Sequence, residues 1–123
     1  MPELGKPLAG RRILVVEDEY LIAVEVKRWL QAAGAEVIGP VPSVAQALDL
    51  IEDDNLSAAL LDINLGDGDR VYPVADRLDA AGVPYLFATG DVRVSDAAYR
   101  DRPRLEKPYL EDEVVRSLTK LID

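Results

Sequence analysis

The sequence contains no cysteine and no histidine among its 123 residues. Without cysteine there are no structural disulfides, thiolate metal sites or cysteine nucleophiles. Without histidine there is no imidazole base, imidazole metal ligand or phosphohistidine on this chain. Basic residues are also few, because 14 Lys and Arg stand against 23 Asp and Glu, which gives a formal charge of −9. Since nucleic acids are bound mainly by clusters of Lys and Arg, this balance argues against a nucleic-acid surface.

Long apolar runs are absent as well. No stretch approaches the roughly 20 apolar residues of a membrane span, and residues 1–10 lack the apolar segment of a signal peptide. We therefore expect a cytoplasmic location. Hydrophobic residues nevertheless make up 49% of the chain, which is enough for the core of one domain. The pattern predicts a flexible arm at residues 1–10, where Pro and Gly recur without periodicity, and a single domain at residues 11–123.

Short apolar runs alternate with amphipathic patterns from residue 11 onward. The runs cover residues 13–16, 36–41, 58–61 and 83–88, and a very short fifth run covers 104–106. Apolar residues at helical spacing follow each run, most weakly at residues 95–102. This alternation predicts five βα units of about 22 residues each. Strands that are apolar on both faces, separated by amphipathic helices, predict an α/β fold with a parallel sheet covered on both sides.

Reactive side chains follow four of these runs. Ligands of open parallel sheets bind beyond the carboxyl ends of the strands, where the strand order reverses. If the order is 2-1-3-4-5, the carboxylates of Glu17, Asp18 and Asp62 meet there. Two carboxylates about 5 Å apart repel by roughly 3 kcal/mol at an effective dielectric near 20, and a hard divalent ion with oxygen ligands removes this repulsion. We therefore expect a Mg²⁺ site.

The fourth and fifth runs are followed by Thr89 and Lys107. Taken singly, each of these residues has an ordinary structural explanation, such as a helix cap, a strand end or a surface charge. Taken together, metal ligands, a carboxylate nucleophile, a hydroxyl and a cation at four strand ends favour one site for phosphoryl chemistry. Glycine-rich dinucleotide and P-loop motifs do not occur, which disfavours a nucleotide site of either kind.

Four short motifs carry a resemblance to a known family. They are VVEDE at residues 15–19, LLDINL at 60–65, ATG at 88–90 and EKPY at 106–109. In this order and at these intervals, they resemble the receiver domain of bacterial two-component response regulators over residues 11–123. The resemblance implies a flavodoxin-like (βα)₅ fold, which is a doubly wound parallel sheet with strand order 2-1-3-4-5.

The resemblance also implies a role for each site residue. Asp62 corresponds to the phosphoacceptor, Thr89 to the hydroxyl that bonds a phosphoryl oxygen after transfer, and Lys107 to the cation that pairs with Asp62 or its phosphate. The peptide bond before Pro108 is commonly cis in this family.

The implied metal site holds Mg²⁺ as the cofactor. Asp18 would bind the ion directly, Glu17 would bind it through water, and Asn64 would bind it through its backbone carbonyl. Asp62 is the fourth residue of the implied metal site.

The implied function is a phosphorylation-activated signalling switch rather than a metabolic enzyme. A histidine kinase or histidine phosphotransfer protein would donate the phosphoryl group. The output would be binding of a downstream protein to the face formed by the fourth strand, the weak fourth helix, the fifth strand and the last helix. We expect a monomer or a phosphorylation-dependent dimer, with no nucleic-acid or membrane partner. Arg104 stands where the family has an aromatic switch residue. FATG at 87–90 resembles a subgroup of stand-alone receivers that has Tyr where Val92 stands.

Two alternatives remain open at this stage. A Toprim-like, Mg²⁺-dependent nucleotidyl-transfer or nuclease domain also places Glu after an early strand and Asp-x-Asp after a later one. Here the second of those Asp residues is Asn64, and such a domain gives Thr89 and Lys107 no role. The other alternative is a receiver-like interaction module that is never phosphorylated.

Overall fold

The computed structural model describes residues 6–53, 55–66, 68–90 and 102–123. Five strands and four helices lie in these ranges: β1 Arg12–Val16, α1 Tyr20–Ala32, β2 Glu36–Val41, α2 Val44–Asp53, β3 Ala58–Asp62, α3 Tyr72–Ala81, β4 Tyr85–Thr89, β5 Arg104–Glu106 and α4 Glu111–Ile122. All neighbouring strands are parallel, and their order is β2-β1-β3-β4-β5. The expected fold class and strand order are confirmed. The helix predicted at residues 95–102 falls almost wholly outside the described residues.

The central strands are buried on both faces, because helices cover the sheet on either side. Successive residues of β3 point to opposite sides. Leu61 therefore packs in the cluster beneath α2 and α3, and Leu60 packs in the cluster beneath α1 and α4. This double burial explains why β1, β3 and β4 are unbroken apolar runs in the sequence. None of the described helices combines the length and the apolar character needed to cross a bilayer.

A bulge in β2 lies opposite the end of β1 and helps to fix the position of the residue that follows β1. Leu14 pairs with Ile38 and Val16 with Val41, so Gly39 and Pro40 share the interval opposite one β1 residue. Gly39 has φ of +95°, and a Cβ there would lie 3.0 Å from the carbonyl oxygen of Val15. Only glycine fits both constraints. Beyond the bulge, the carbonyl of Val41 accepts a hydrogen bond from the backbone N–H of Glu17 at 3.0 Å.

Residues 6–10 pack against the domain. Leu8 is 1% exposed and belongs to the cluster beneath α1 and α4. Its backbone N–H donates to the carbonyl of Ala33 at 2.9 Å, just beyond the end of α1. In the described part of the predicted arm, Leu8 therefore belongs to the core. The domain boundary at residue 11 stays a prediction.

Candidate functional site

Three carboxylates meet at the carboxyl edge of the sheet. Because β1 and β3 are neighbours with Val16 opposite Leu61, the residues that follow these two positions lie side by side. Carboxylate oxygens of Glu17, Asp18 and Asp62 lie within 4.8 Å of one another. Glu17 and Asp62 are buried, whereas Asp18 is exposed. The structure thus brings these three sequence-predicted residues into one cluster, open to solvent on the Asp18 side.

Lys107 supplies a cation to this cluster from the loop after β5. Its Nζ lies 2.9 Å from Oε1 of Glu17 and 3.2 Å from Oδ2 of Asp62. The backbone N–H of Lys107 donates to the carbonyl of Thr89 at 2.8 Å, which fixes the loop to the end of β4. The Lys107–Pro108 peptide bond is cis. The ammonium therefore bridges two buried carboxylates that come from different strands.

One ammonium does not balance the carboxylates, and the protonation of Asp62 reflects this. Burial raises the pKa of Asp62 to about 8, a hydrogen bond with Glu17 and the charge of Glu17 act in the same direction, and Lys107 opposes them. Burial alone would lower the pKa of Lys107, but its hydrogen bond to Glu17 and the charges of Asp62 and Glu17 raise it above the ordinary value. These shifts favour the charged form of Lys107 and the protonated form of Asp62. The cluster is therefore short of positive charge.

The donor set fits Mg²⁺. Carboxylate oxygens are hard ligands, and a site with a few carboxylates and room for water suits this ion. The loop after β3 leaves space beside the exposed carboxylate, because Gly66 has φ of +78° and a Cβ there would lie 3.1 Å from Oδ2 of Asp18. A cation at this edge would also oppose the burial and the charge of Glu17, which together raise the pKa of Asp62.

The two remaining predicted residues lie next to this cluster. Thr89 ends β4, is 1% exposed, and lies one residue beyond Ala88, the partner of Asp62 in the sheet. Asn64 is exposed at the rim, where its side-chain oxygen accepts a hydrogen bond from the guanidinium of Arg70. All six predicted site residues therefore lie at the same edge of the sheet, and their chemical roles stay predictions.

Two further residues of this edge were not among the predicted site residues. Glu19 lies 3.7 Å from the ammonium of Lys107, and its backbone N–H donates to Oε2 of Glu17 at 3.1 Å. Tyr109 is buried edge-on against Trp29, with ring centroids 6.4 Å apart. Its burial, followed by the charge of Glu17, raises the pKa of its hydroxyl above the ordinary value. Both residues belong to motifs noted in the sequence, but their contacts depend on how the loops turn.

Known proteins resemble this chain in fold and in sequence. The solution structure of SdrG from Sphingomonas melonis Fr1 is 41% identical and covers 95% of this chain and 98% of its own, with a TM-score of 0.80. The response regulator PhyR from Brucella abortus is 26% identical over 96% of this chain and 51% of its own, with a TM-score of 0.82. The phyllosphere-induced regulator PhyR of Methylorubrum extorquens is 33% identical over 92 residues, or 71% of this chain. This chain spans about a third of that regulator's length. No family model matches.

A parallel sheet of order 2-1-3-4-5 with a lysine among carboxylates at its edge is the architecture of a receiver. Together with the identity to SdrG over nearly the whole of both chains, it shows that this chain belongs to the response-regulator receiver domains. Its relatives are signalling regulators and not metabolic enzymes, which counts against the Toprim-like alternative.

Proposed function

We propose that this chain is a phosphorylation-activated signalling switch that accepts a phosphoryl group on Asp62 from a histidine kinase or a histidine phosphotransfer protein. The observation that carries the proposal is the ammonium of Lys107, which lies 2.9 Å from Glu17 and 3.2 Å from Asp62 where the carboxylates meet. SdrG, at 42% identity, has also been solved in a BeF3-activated conformation. Since BeF3 is a chemical stand-in for a phosphoryl group on a carboxylate, this relative supports the proposal.

Asp62 is the nucleophile of the transfer. One of its carboxylate oxygens attacks phosphorus, the bond from phosphorus to the donor breaks, and the donor leaves with the bonding electron pair. Lys107 faces the nucleophilic oxygen and places its positive charge beside the oxygens of the incoming group. Transfer of this kind depends mainly on such positioning and charge stabilisation.

The acidic cluster is the proposed Mg²⁺ site. Asp18, Asp62 and the backbone carbonyl of Asn64 would hold the ion, with Glu17 acting through water. When bound, Mg²⁺ supplies positive charge to the oxygens of the transferring group. Receiver domains generally bind this ion at an acidic pocket, and the carboxylates that lie within 4.8 Å of one another provide such a pocket here.

The switch is proposed to start at Thr89. Phosphorylation adds up to two negative charges and strong acceptor oxygens, and the Thr89 hydroxyl is a donor for one of them. The carbonyl of Thr89 is bonded to the backbone of Lys107 at 2.8 Å, so movement of one strand end displaces the other. A downstream protein would then bind the face that contains β4, β5 and α4.

A protein donor needs a docking surface near the acceptor, and α1 offers one. We define the α1 surface as Tyr20, Leu21 and Val24, which are exposed by 44–78%. Leu21 also lines a groove of about 500 Å³ that α1 forms with residues 107–109, the segment that carries the site lysine. Exposed apolar side chains at this place favour contact with a partner protein.

Chemical phosphorylation tests the proposal without a cognate kinase. The protein is mixed with acetyl phosphate or phosphoramidate and Mg²⁺, and its intact mass is measured. We expect a gain of about 80 Da, the mass of one phosphoryl group, which is lost in Asp62→Asn and after chelation of Mg²⁺. Asp69→Asn, which removes an exposed acid of the same loop, should label normally. No gain in the wild type, or an equal gain in Asp62→Asn, would count against the proposal.

A further inference from the structure

Two aromatic side chains join helix α1 to the segment that carries the site lysine, and the proposed transfer step gives them no role. The rings of Trp29 and Tyr109 pack edge to face, with centroids 6.4 Å apart and planes inclined by 70°. Tyr109 is 8% exposed and belongs to the core cluster beneath α1 and α4, and Trp29 packs against that cluster. The contact therefore connects α1 with a residue two positions from Lys107.

The sequence of α1 fixes the ring of Trp29 at this place. Ile22, Val26 and Trp29 follow one another at a spacing of i, i+4 and i+7, so they lie on one face of the helix. Val26 is 1% exposed and anchors this face in the core. Because the helix is held by packing, Trp29 offers Tyr109 a rigid surface to pack against.

The segment of residues 107–110 is tied to the fold at both ends. The backbone N–H of Lys107 donates to the carbonyl of the last residue of β4 at 2.8 Å. The N–H of Leu110 donates to Oε1 of Glu113 at 3.0 Å, where α4 begins. Of the four residues in this segment, only Tyr109 is buried. Its ring is therefore the side-chain anchor of the segment between the two backbone ties.

The anchor lies close to the charges of the site. Trp29, Tyr109 and Lys107 line the same groove beside α1. Burial and then the charge of Glu17 raise the pKa of the Tyr109 hydroxyl above its ordinary value, and the charge of Lys107 opposes them. Only Pro108 separates the anchor from the lysine, and its ring restricts the backbone between them. A displaced Tyr109 ring would therefore displace Lys107 as well.

We propose that Trp29 is a positioning residue that acts through Tyr109 to hold the ammonium of Lys107 beside the phosphoacceptor. This inference rests on the proposed function. The Nζ of Lys107 lies 3.2 Å from Oδ2 of Asp62, and its charge stabilises the transferring group only when it is held near the reacting oxygens. Trp29 itself touches neither the acceptor nor the phosphoryl group. It restricts the positions that the ammonium can take.

The test measures the rate of chemical phosphorylation, which needs no protein donor and is therefore independent of docking at α1. Wild type, Trp29→Leu, Trp29→Phe and Tyr109→Leu are mixed with acetyl phosphate and saturating Mg²⁺, and the intact mass is followed with time. We expect Trp29→Leu and Tyr109→Leu to be labelled about 3- to 10-fold more slowly, the effect of losing one aromatic pair. Trp29→Phe keeps a ring at the contact and should recover most of the rate.

Two further comparisons separate positioning from a general loss of packing. In Lys107→Met the ammonium is absent, so the addition of Trp29→Leu should slow labelling no further. Leu121→Ala truncates a half-buried side chain that packs against the same cluster from the far end of α4. This control should be labelled at the wild-type rate, although it lowers the melting temperature. Thermal melts check that each variant is folded.

The outcomes distinguish this inference from the function on which it rests. If the wild type takes up no phosphoryl group, the proposed function fails. If it is labelled but Trp29→Leu has the wild-type rate, the positioning role fails and the function stands. Equal slowing by Trp29→Leu and Leu121→Ala, a rate of Trp29→Phe as low as that of Trp29→Leu, or further slowing in the Lys107→Met background would also overturn the positioning role.

Discussion

At the scale of single residues, three features of its surroundings determine the protonation of Asp62. Burial and the neighbouring Glu17 favour the neutral acid, while Lys107 favours the carboxylate. The first two prevail when no divalent cation is bound. A carboxyl group in such a site destabilises the fold as it ionises, which is a cost commonly found at functional positions.

Replacing Asp62 with Asn should therefore stabilise the protein when Mg²⁺ is absent. Asn keeps the shape of the side chain and removes the buried charge, so we expect a gain of about 1–3 kcal/mol at pH 8. Thermal unfolding in chelator, followed by circular dichroism, measures this difference. Asp69→Asn is the control for loss of an acid from an exposed position and should change little.

The same substitution should change how stability depends on pH. The pKa of Asp62 in the folded chain, about 8, lies above its ordinary value of 3.8. The fold therefore favours the protonated form, and this stabilisation is complete below about pH 4 and is lost as the pH rises through 8. The melting temperature of the wild type in chelator should fall across this window more steeply than that of Asp62→Asn. Parallel curves for the two proteins would contradict the assignment of the buried proton to Asp62.

Lys107→Met should have the opposite effect on stability. The substitution removes the cation between Glu17 and Asp62 and leaves the buried Glu17 carboxylate without its ammonium partner, which we expect to cost about 3 kcal/mol in chelator at neutral pH. Labelling by acetyl phosphate should also slow sharply, because the positive charge beside the acceptor oxygen is lost. Thermal melts and labelling time courses measure both effects. Lys120→Met, in an exposed position of α4, should resemble the wild type, and equal behaviour of the two variants would rule out the bridge.

At the scale of the elements, burial explains which parts could be predicted from the sequence. β1, β3 and β4 are covered on both faces, and continuous burial produces apolar runs that any reading of the pattern detects. The polar residues that end these runs could be predicted for the same reason, since a strand end is where the apolar run stops. The bulge at Gly39 in β2 leaves no such signal, because it depends on hydrogen-bond register rather than on polarity.

Loops explain what could not be predicted about the site. Glu19 reaches Lys107, and Arg70 reaches Asn64, only because the chain turns in a particular way after β1 and after β3. Arg70 lies eight positions after Asp62, and no periodic pattern joins two positions across an irregular loop. The strand-end chemistry was therefore visible in the sequence, whereas the contacts that orient it required coordinates.

The α1 surface leads to a prediction about specificity for the donor. Leu21 is 78% exposed and contributes to the groove beside residues 107–109. Leu21→Asp should lower the rate of transfer from a histidine phosphotransfer protein or kinase at least about 10-fold, since a charge at the centre of an apolar contact commonly costs more than 1.4 kcal/mol. Labelling by acetyl phosphate, which needs no docking, should stay normal.

A panel of purified histidine kinases and phosphotransfer proteins, with wild-type transfer as reference, provides the measurement. Gln31→Glu is a matched control, because it adds the same charge to an exposed position at the other end of α1. If Leu21→Asp and Gln31→Glu slow protein-mediated transfer equally, the effect is one of net charge and the α1 surface is not the docking site.

At the scale of the whole molecule, an acidic cluster on a chain of net charge −9 should respond to Mg²⁺ in two ways. An ion bound at Glu17, Asp18 and Asp62 stabilises the folded state alone, by about 2.7 kcal/mol when its concentration is 100 times the dissociation constant. Asp18 is the exposed member of the cluster, so Asp18→Asn removes a proposed ligand without disturbing the core. We expect the melting temperature of the wild type to rise with Mg²⁺ and then level off, and that of Asp18→Asn to lose most of this rise.

Dissolved salt also screens these charges without binding at a particular site. A series of NaCl concentrations separates this screening from the binding of Mg²⁺ at the acidic cluster. Ionic strength weakens repulsion among all the acids of the surface, over distances set by a Debye length of about 10 Å at 0.1 M. NaCl at the same ionic strength should therefore raise the melting temperatures of wild type and Asp18→Asn alike, without saturation at millimolar concentration. If Mg²⁺ and NaCl stabilise both proteins equally, the ion acts on the whole charged surface. The carboxyl edge would then lack the metal site on which phosphoryl transfer to Asp62 depends.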